Sequence, residues 1–247
     1  MIVRDKGKNK IEVCFSPALY PYYENPEAVV VVVDILRASS AICAAFINGA
    51  SKIIPVETLD EAKKMKEKGY IVAAERDGII RNFADFGNSP FSFTSENVKG
   101  KEIVYSTTNG TQSIHLASSG YQVIIGAFLN LSAVSKHLIR TGRDVLILCA
   151  GWKNKFNLED TFYAGALTQE LIISRSFYTE CDSALASLDL WNIGKNDPIA
   201  YIEKSAQRHR LKKNQLDDVL EYCHTRDLTT ITPVLVDDYL VPLREFS

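Results

Sequence analysis

The chain has no long hydrophobic run, no paired cysteines, few histidines and no excess of charge of either sign. Each absence removes a class of function. The longest strongly apolar stretch, Ala28 to Val33, stops at Asp34, far short of the ~20 residues a membrane helix needs. Met1 to Lys10 is polar and mixed in charge, without the apolar core of a signal peptide. A cytoplasmic protein without a membrane partner is expected. The five cysteines (Cys14, Cys43, Cys149, Cys181, Cys223) are odd in number, widely spread and form no Cys-x-x-Cys pair. That argues against structural zinc and a disulfide framework, and for a reducing compartment. A formal net charge of -2, from 28 basic and 30 acidic side chains, lacks the basic excess of a nucleic-acid binder. The four histidines (His115, His137, His209, His224) fall in helical stretches rather than at strand ends, so histidine acid–base chemistry is not expected.

Familiar catalytic signatures are missing too. There is no Gly-x-x-x-x-Gly-Lys-Ser/Thr, no Gly-x-Gly-x-x-Gly after a strand and no His-Glu-x-x-His. Asp34 is not followed by the second aspartate of an Asp-x-Asp phosphatase. Cys149 has Lys155 six residues on, where a cysteine-dependent phosphatase carries arginine.

What is present is an alternation of short Val- and Ile-rich runs with helical stretches. Such runs read as parallel strands buried on both faces. With 247 residues, 46% of them hydrophobic, the expectation is a single α/β domain over residues 1–247. It has a mixed, mostly parallel sheet, helices on both faces and a helical C-terminal region. Strands are expected over 11–15, 28–34, 52–56, 71–75, 102–106, 121–127 and 144–150. Helices are expected over 37–48, 110–118 and 131–141, with a further one opened by the capping box Thr58-x-x-Glu61. Arg76 to Gly100 reads as a long functional loop. After Asn157 come helices over 158–173, 180–192, 197–208 and 213–224, which either cover the sheet or form the interface of a homodimer. Ile231 to Leu243, with Pro233 and Pro242, reads as an edge strand or a docking tail.

Polar clusters end five of the apolar runs, and in an open α/β sheet the loops at the carboxyl ends of the strands gather at one rim. Asp34, after five valines, reads either as a Mg²⁺ ligand or as a helix cap. Arg37 stands one helical turn further on, suited to an anion at the helix start, or is an ordinary surface arginine. Glu75 is costly to bury uncompensated, so it needs a cation or the neighbouring Arg76 as ion-pair partner. Asp85, flanked by Phe83 and Phe86, reads as a general acid with a raised pKa or as an Asx turn. Thr107-Thr108-Asn109-Gly110-Thr111 joins a strand to a helix and offers a phosphate cradle; the absence of alternation after it disfavours an Asn-Gly hairpin. Asn157, Glu159 and Asp160 read as a cap and two acids complementing a helix dipole, or one acid is a metal ligand or proton donor. Cys149 is either a thiolate nucleophile or a small buried hydrophobe.

Taken together, these segments resemble the 2-phosphosulfolactate phosphatase family. The matching stretches are Val31 to Ser40, Glu75-Arg76, Phe86-Gly87-Asn88-Ser89-Pro90, Thr107 to Thr111, Gly126 to Val134 including Asn130, Cys149-Ala150-Gly151, and Leu158 to Thr161 with Ala164-Gly165. The resemblance implies Mg²⁺-dependent hydrolysis of a small anionic phosphoester, 2-phosphosulfolactate, to sulfolactate and phosphate, a step that in some organisms belongs to coenzyme M synthesis. Asp77 departs from the pattern, standing where the family has a small glycine. On this reading Asp34 and Glu75, with Asp160, hold Mg²⁺. Arg37, Arg76, the Thr107–Gly110 turn, Asn130 and Cys149 line the substrate, and Asp85, Glu159 or Asp160 protonates the leaving alkoxide. The alternatives are a non-catalytic small-anion-binding module, a phosphatase for a different phosphoester, and a hydrolase acting through Cys149.

Overall fold

The computed structural model describes residues 7–244. In chain order the strands are β1 (Asn9–Cys14), β2 (Val29–Val33), β3 (Lys52–Pro55), β4 (Ile71–Arg76), β5 (Ile79–Ile80), β6 (Glu102–Ser106), β7 (Gln122–Gly126), β8 (Val145–Cys149), β9 (Phe177–Tyr178), β10 (Ile231–Val236) and β11 (Tyr239–Arg244). The helices are α1 (Ala38–Ile47), α2 (Leu59–Glu67), α3 (Ser95–Val98), α4 (Gly110–Leu116), α5 (Leu131–Thr141), α6 (Leu158–Ile173), α7 (Asp182–Gly194), α8 (Pro198–Ile202), α9 (Ala206–Lys213) and α10 (Leu220–His224). No helix among the described residues is long and apolar enough to cross a membrane.

The strands make one mixed, mostly parallel sheet in the order β5-β4-β6-β3-β11-β10-β7-β2-β8-β1-β9. Its centre is β2, whose five valines are all buried. Val29, Val31 and Val33 belong to the core under α5, α6 and α7, while Val30 and Val32 face the core built with α1 and α4. A continuous apolar run, rather than an alternating one, is what two covered faces demand. The long helix α6 crosses α7 closely because Gly165 has no side chain: a Cβ there would lie 2.0 Å from the Ser187 carbonyl oxygen.

The C-terminal strands correct the sequence reading. Ile231 to Leu243 is neither edge nor tail. It forms the hairpin β10–β11, inserted between β3 and β7. Pro233 pairs opposite Pro242, and the hairpin touches its outer neighbours through one register pair each, Val234 with Ile124 and Leu240 with Ile53. Two facing prolines lack N–H donors, so a thin ladder on the outer sides is the physical consequence. The stretch from Arg76 to Gly100 is also less bare than expected, since it carries β5, α3 and the Ala73–Phe86 bridge. The expected helix over 197–208 is broken in two, because Ser205 starts a second helix by accepting the Arg208 amide.

The hairpin has a further effect. It is antiparallel to both β3 and β7, so the half-sheet β4-β6-β3 and the half-sheet β7-β2-β8-β1 run in opposite senses. On a flat sheet their carboxyl ends would lie at opposite rims. Six inter-strand steps separate β4 from β2, and at about 20–25° per step the accumulated twist is roughly 120–150°. That rotation brings the two sets of strand ends back toward one another around α1.

Candidate active site

One narrow cleft receives side chains from both half-sheets. Asp34 and Arg37 follow β2, Glu75 and Gly78 flank the end of β4, and Asn109 follows β6. Gly151, Trp152 and Asn157 come from the loop after β8, Glu159 from α6, and Gln207 from α9. Its interior is small, about 30 Å³. Asp34, Arg37, Glu75, Asn109 and Glu159 of the residues singled out in the sequence therefore share one cavity.

Asp34 serves as a cap and keeps its second carboxylate oxygen open. Its Oδ1 accepts the Ala38 amide at 3.2 Å, capping the start of α1. Its Oδ2 accepts no hydrogen bond among the described residues and lies beside Gly110, where a Cβ would come within 3.1 Å of it. Burial pushes this carboxyl well above the usual range, and the Asp160 charge adds to the push. Arg37 is only 4% exposed. Its Nη2 donates to Asn88 Oδ1 at 2.7 Å, while its Nη1 is buried without a partner. Glu159, 1% exposed, has an unpartnered Oε2, and Asn157 an unpartnered Oδ1. Burial raises the Glu159 carboxyl to about 7. Buried polar atoms are nearly always hydrogen-bonded; three orphans on one cleft, a guanidinium donor among them, mark a place completed by a ligand.

Other carboxylates turn out to be committed. Asp160 accepts the Ile35 amide (2.8 Å), the Gly151 amide (3.1 Å) and Asn157 Nδ2 (2.8 Å). It ties the ends of β2 and β8 to the start of α6, and burial followed by the Glu159 charge raises it to about 8. Glu75 accepts the amides of Gly78 (2.6 Å) and Thr108 (2.8 Å) and the Thr108 hydroxyl. Backbone donors thus compensate its burial. The expected Glu75–Arg76 ion pair is not formed: Arg76 donates to the carbonyls of Glu75 and Glu57 and to the Ser106 hydroxyl.

Asp85 is elsewhere, in an ion pair with Lys66 at 2.6 Å, and accepts the Val72 amide. Although burial opposes it, the Lys66 and Val72 hydrogen bonds hold its carboxyl below the usual range, the reverse of what its aromatic neighbours suggested. Asn130 is fully buried under the hairpin, accepting the Ala127 amide and donating to the carbonyls of Ile125 and Ile231. Cys149 is fully buried and its thiol is pushed well up by burial and by Asp160, a small hydrophobe rather than a nucleophile. The Thr107–Gly110 turn opens a helix, not a hairpin. Its Thr107 and Thr111 amides are taken by each other's hydroxyls, and Thr108 is taken by Glu75, so only Asn109 of that turn lines the cleft. Asp77 is paired with Lys153 at 2.7 Å, and its charge is offset beside Arg76.

Asn88, Trp152 and Gln207 were not singled out as site residues. Asn88 carried a faint signal in its Gly-Asn-Ser-Pro turn. Gln207 carried none, because it reaches the cleft from a helix far downstream, donating to the carbonyl of Leu36, 171 positions before it.

For Mg²⁺ the chemistry of the donors is right and their number is sparse. Among the described residues no three acidic, histidine or cysteine side chains are grouped to hold a metal, so the trio Asp34, Glu75 and Asp160 is not a ready chelate. The ion commonly takes only one or two carboxylates and completes its shell with water and phosphate oxygens. Asp34 Oδ2, which accepts no hydrogen bond among the described residues, fits that mode.

Comparison with known proteins gives a consistent picture. The sequence profile described as 2-phosphosulpholactate phosphatase matches residues 14–238. A probable 2-phosphosulfolactate phosphatase of Thermotoga petrophila is 38% identical over 216 residues, 87% of this chain and 92% of that protein. One from Caldanaerobacter subterraneus is 33% identical over 224 residues, covering 89% and 92% respectively. One from Clostridium novyi is 31% identical over 227 residues, covering 91% and 96%.

Proposed function

The chain belongs to the 2-phosphosulfolactate phosphatase family, a family of phosphoric monoester hydrolases, and on that premise we propose that it is a Mg²⁺-dependent phosphatase hydrolysing 2-phosphosulfolactate to sulfolactate and phosphate. The observation that carries this reading is the buried, unpaired Nη1 of Arg37 facing the same cleft as the open oxygen of Asp34. A guanidinium donor of this kind suits a phosphoryl oxygen. Asn88 holds the other arm of the guanidinium, so Arg37 is oriented before the substrate arrives. Such fixed donors stabilise the charge that spreads over the phosphoryl oxygens as the bond breaks.

Hydrolysis joins a water oxygen to phosphorus, with one water proton returning to the spent general acid, and breaks the bond from phosphorus to the C2 oxygen of the substrate. The electron pair stays on that oxygen, which needs a proton. Of Asp85, Glu159 and Asp160, Glu159 alone has an unbonded carboxyl oxygen in the cleft, and its pKa of about 7 suits proton donation near neutrality. Asp34 would hold Mg²⁺, which when bound supplies Lewis-acid polarisation of the phosphoryl group and offsets the buried carboxylate charge.

The test is phosphate release from 2-phosphosulfolactate with and without EDTA, together with Asp34→Asn. Chelation should abolish turnover, and Asp34→Asn should lower kcat by roughly a hundredfold or more, the scale of losing one preorganised electrostatic contact. Undiminished turnover in EDTA, or a fully active Asp34→Asn, would overturn the arrangement.

A further inference from the structure

Two side chains reach the cleft from α9, Leu211 and Gln207. Leu211 brings apolar surface, whereas Gln207 is half-buried and has both ends of its carboxamide engaged. Its Nε2 donates to the Leu36 carbonyl at 2.9 Å, and its Oε1 accepts from Arg210 Nε at 2.7 Å. Arginine offers donors alone, so Arg210 fixes which end of the carboxamide faces which way and turns the amide nitrogen toward Leu36. Arg210 is itself seated with its guanidinium 4.3 Å from the centre of the Trp152 ring. Trp152 belongs to the loop after β8 that walls the cleft. A line of contacts through Trp152, Arg210, Gln207 and Leu36 thus runs from one wall of the cleft to the residue directly before Arg37.

The segment from Asp34 to Arg37 shows why that contact matters. The carbonyl of Asp34 accepts the Ser39 amide, that of Ile35 the Ser40 hydroxyl, and that of Arg37 the Ala41 amide. All three donors belong to α1, so they tie the segment to the helix it leads into. The buried Leu36 carbonyl is instead taken by Gln207, from the far side of the cleft. A buried carbonyl left without a donor is costly, and the segment would have to turn to find another. Arg37 is then held at two points: its backbone through Leu36 and Gln207, and its tip through the bond from Nη2 to Asn88. Between them lies a long side chain whose Nη1 has to meet the ligand. A small rotation of the backbone at its root moves that nitrogen furthest.

We propose that Gln207 is a positioning residue for Arg37: its amide nitrogen, aimed by Arg210 on Trp152, holds the Leu36 carbonyl and so sets where the Arg37 guanidinium meets the phosphoryl group. The inference rests on the phosphatase reading above. It makes α9, remote in sequence from every strand end of the cleft, part of the machinery that prepares the reaction.

The experiment is a double-mutant cycle on the full chain with Mg²⁺ present, placing Gln207→Glu and Gln207→Met each in the native and in an Arg37→Met background. Gln207→Glu keeps an acceptor for Arg210 and removes the donor to Leu36, while Gln207→Met removes both. In turnover of 2-phosphosulfolactate both should lower kcat by about ten- to a hundredfold, the scale of misplacing a reacting group by an ångström or less, with KM changed by about threefold or less. Affinity for orthovanadate, a mimic of the transferring phosphoryl group, should fall in step with kcat. In the Arg37→Met background neither substitution should lower kcat or vanadate affinity by more than about twofold, because the group being positioned is gone. Equal losses in the two backgrounds would show Gln207 acting on the ligand directly and overturn the proposal, as would an unchanged kcat in Gln207→Glu. A wild type that releases no phosphate from 2-phosphosulfolactate sinks the phosphatase reading instead, and the vanadate cycle then decides. Binding weakened by Gln207→Glu only where Arg37 is present upholds the positioning role, and any other pattern overturns it.

Discussion

Glu159, the proton donor proposed above, is held in place at a cost to the fold. It sits at the first turn of a helix, where a carboxylate is ordinarily welcome, yet burial raises its pKa to about 7 and that of Asp160 beside it to about 8. Unfolded, both return to near 4. Between those values the folded protein binds more protons than the unfolded one, so their contribution makes stability fall as pH rises from about 4 to about 8. Removing the Glu159 charge also relaxes Asp160, since the Glu159 charge is the second cause of its shift. Glu159→Gln is therefore expected to melt higher than the wild type at pH 8 in EDTA, and to differ little from it at pH 5. Thermal unfolding at both pH values checks this; parallel wild-type and variant profiles would show that Glu159 carries no such strain. At this scale the sequence was legible wherever a residue's position on a strand end decided its fate, as for Asp34, Arg37 and Glu75. It was misleading for Asp85, whose partner Lys66 lies 19 residues away on α2, and silent for Gln207. Which carboxylates are satisfied by backbone amides is a matter of tertiary approach, and side-chain type does not report it.

Among the elements, the ends of β2 and β8 and the start of α6 are fastened to one another by the three hydrogen bonds of Asp160. Above about pH 8, where Asp160 is charged, bonds to it are worth about 1.5–3 kcal/mol each when buried donors are otherwise left bare. Relief of the buried charge offsets part of that. Asp160→Ala is thus expected to cost about 3 kcal/mol and to lower Tm by roughly 6–12 °C in the absence of metal. A metal ligand with no structural duty would leave the metal-free Tm where it was, so the same measurement separates clamp from chelator. The local rules that the sequence did display were those confined to a few adjacent residues. The capping box Thr58–Glu61 is formed in both directions, α6 runs over Leu158–Ile173 as its pattern implied, and Gly142 ends α5 in the left-handed region. The two-residue strand β9 and the hairpin β10–β11 were not legible. The first is too short for a period, and the second carries prolines that ordinarily mark an edge, tolerated here because they face each other.

For the whole molecule, the fold class followed from the alternation of apolar runs and helices, but the convergence of the site did not follow from a shared rim. It depends on a reversal of direction at the hairpin and on accumulated twist that undoes the reversal, neither of which a one-dimensional pattern contains. The cleft consequently spans both half-sheets, with Asp34 from one and Glu75 and Asn109 from the other. A ligand bound there stabilises the assembly of the two halves rather than a single loop. Protons and a dication also compete for the buried Asp34 carboxylate, since desolvation raises its pKa well above the usual range. Binding linkage then fixes both the size and the pH dependence of the effect. At a hundredfold excess over its dissociation constant a ligand adds about 2.7 kcal/mol, which for a chain of this length is about 5–11 °C in Tm. On the proposed reading Mg²⁺ should deliver a rise of that order at pH 8, where the carboxyl is open to the ion, and a clearly smaller rise at pH 6 for the same total metal. Differential scanning calorimetry at the two pH values, with Asp34→Asn as the control that loses the increment, measures it directly. An equal rise at both pH values, or one that survives in Asp34→Asn, would place the ion away from this carboxylate.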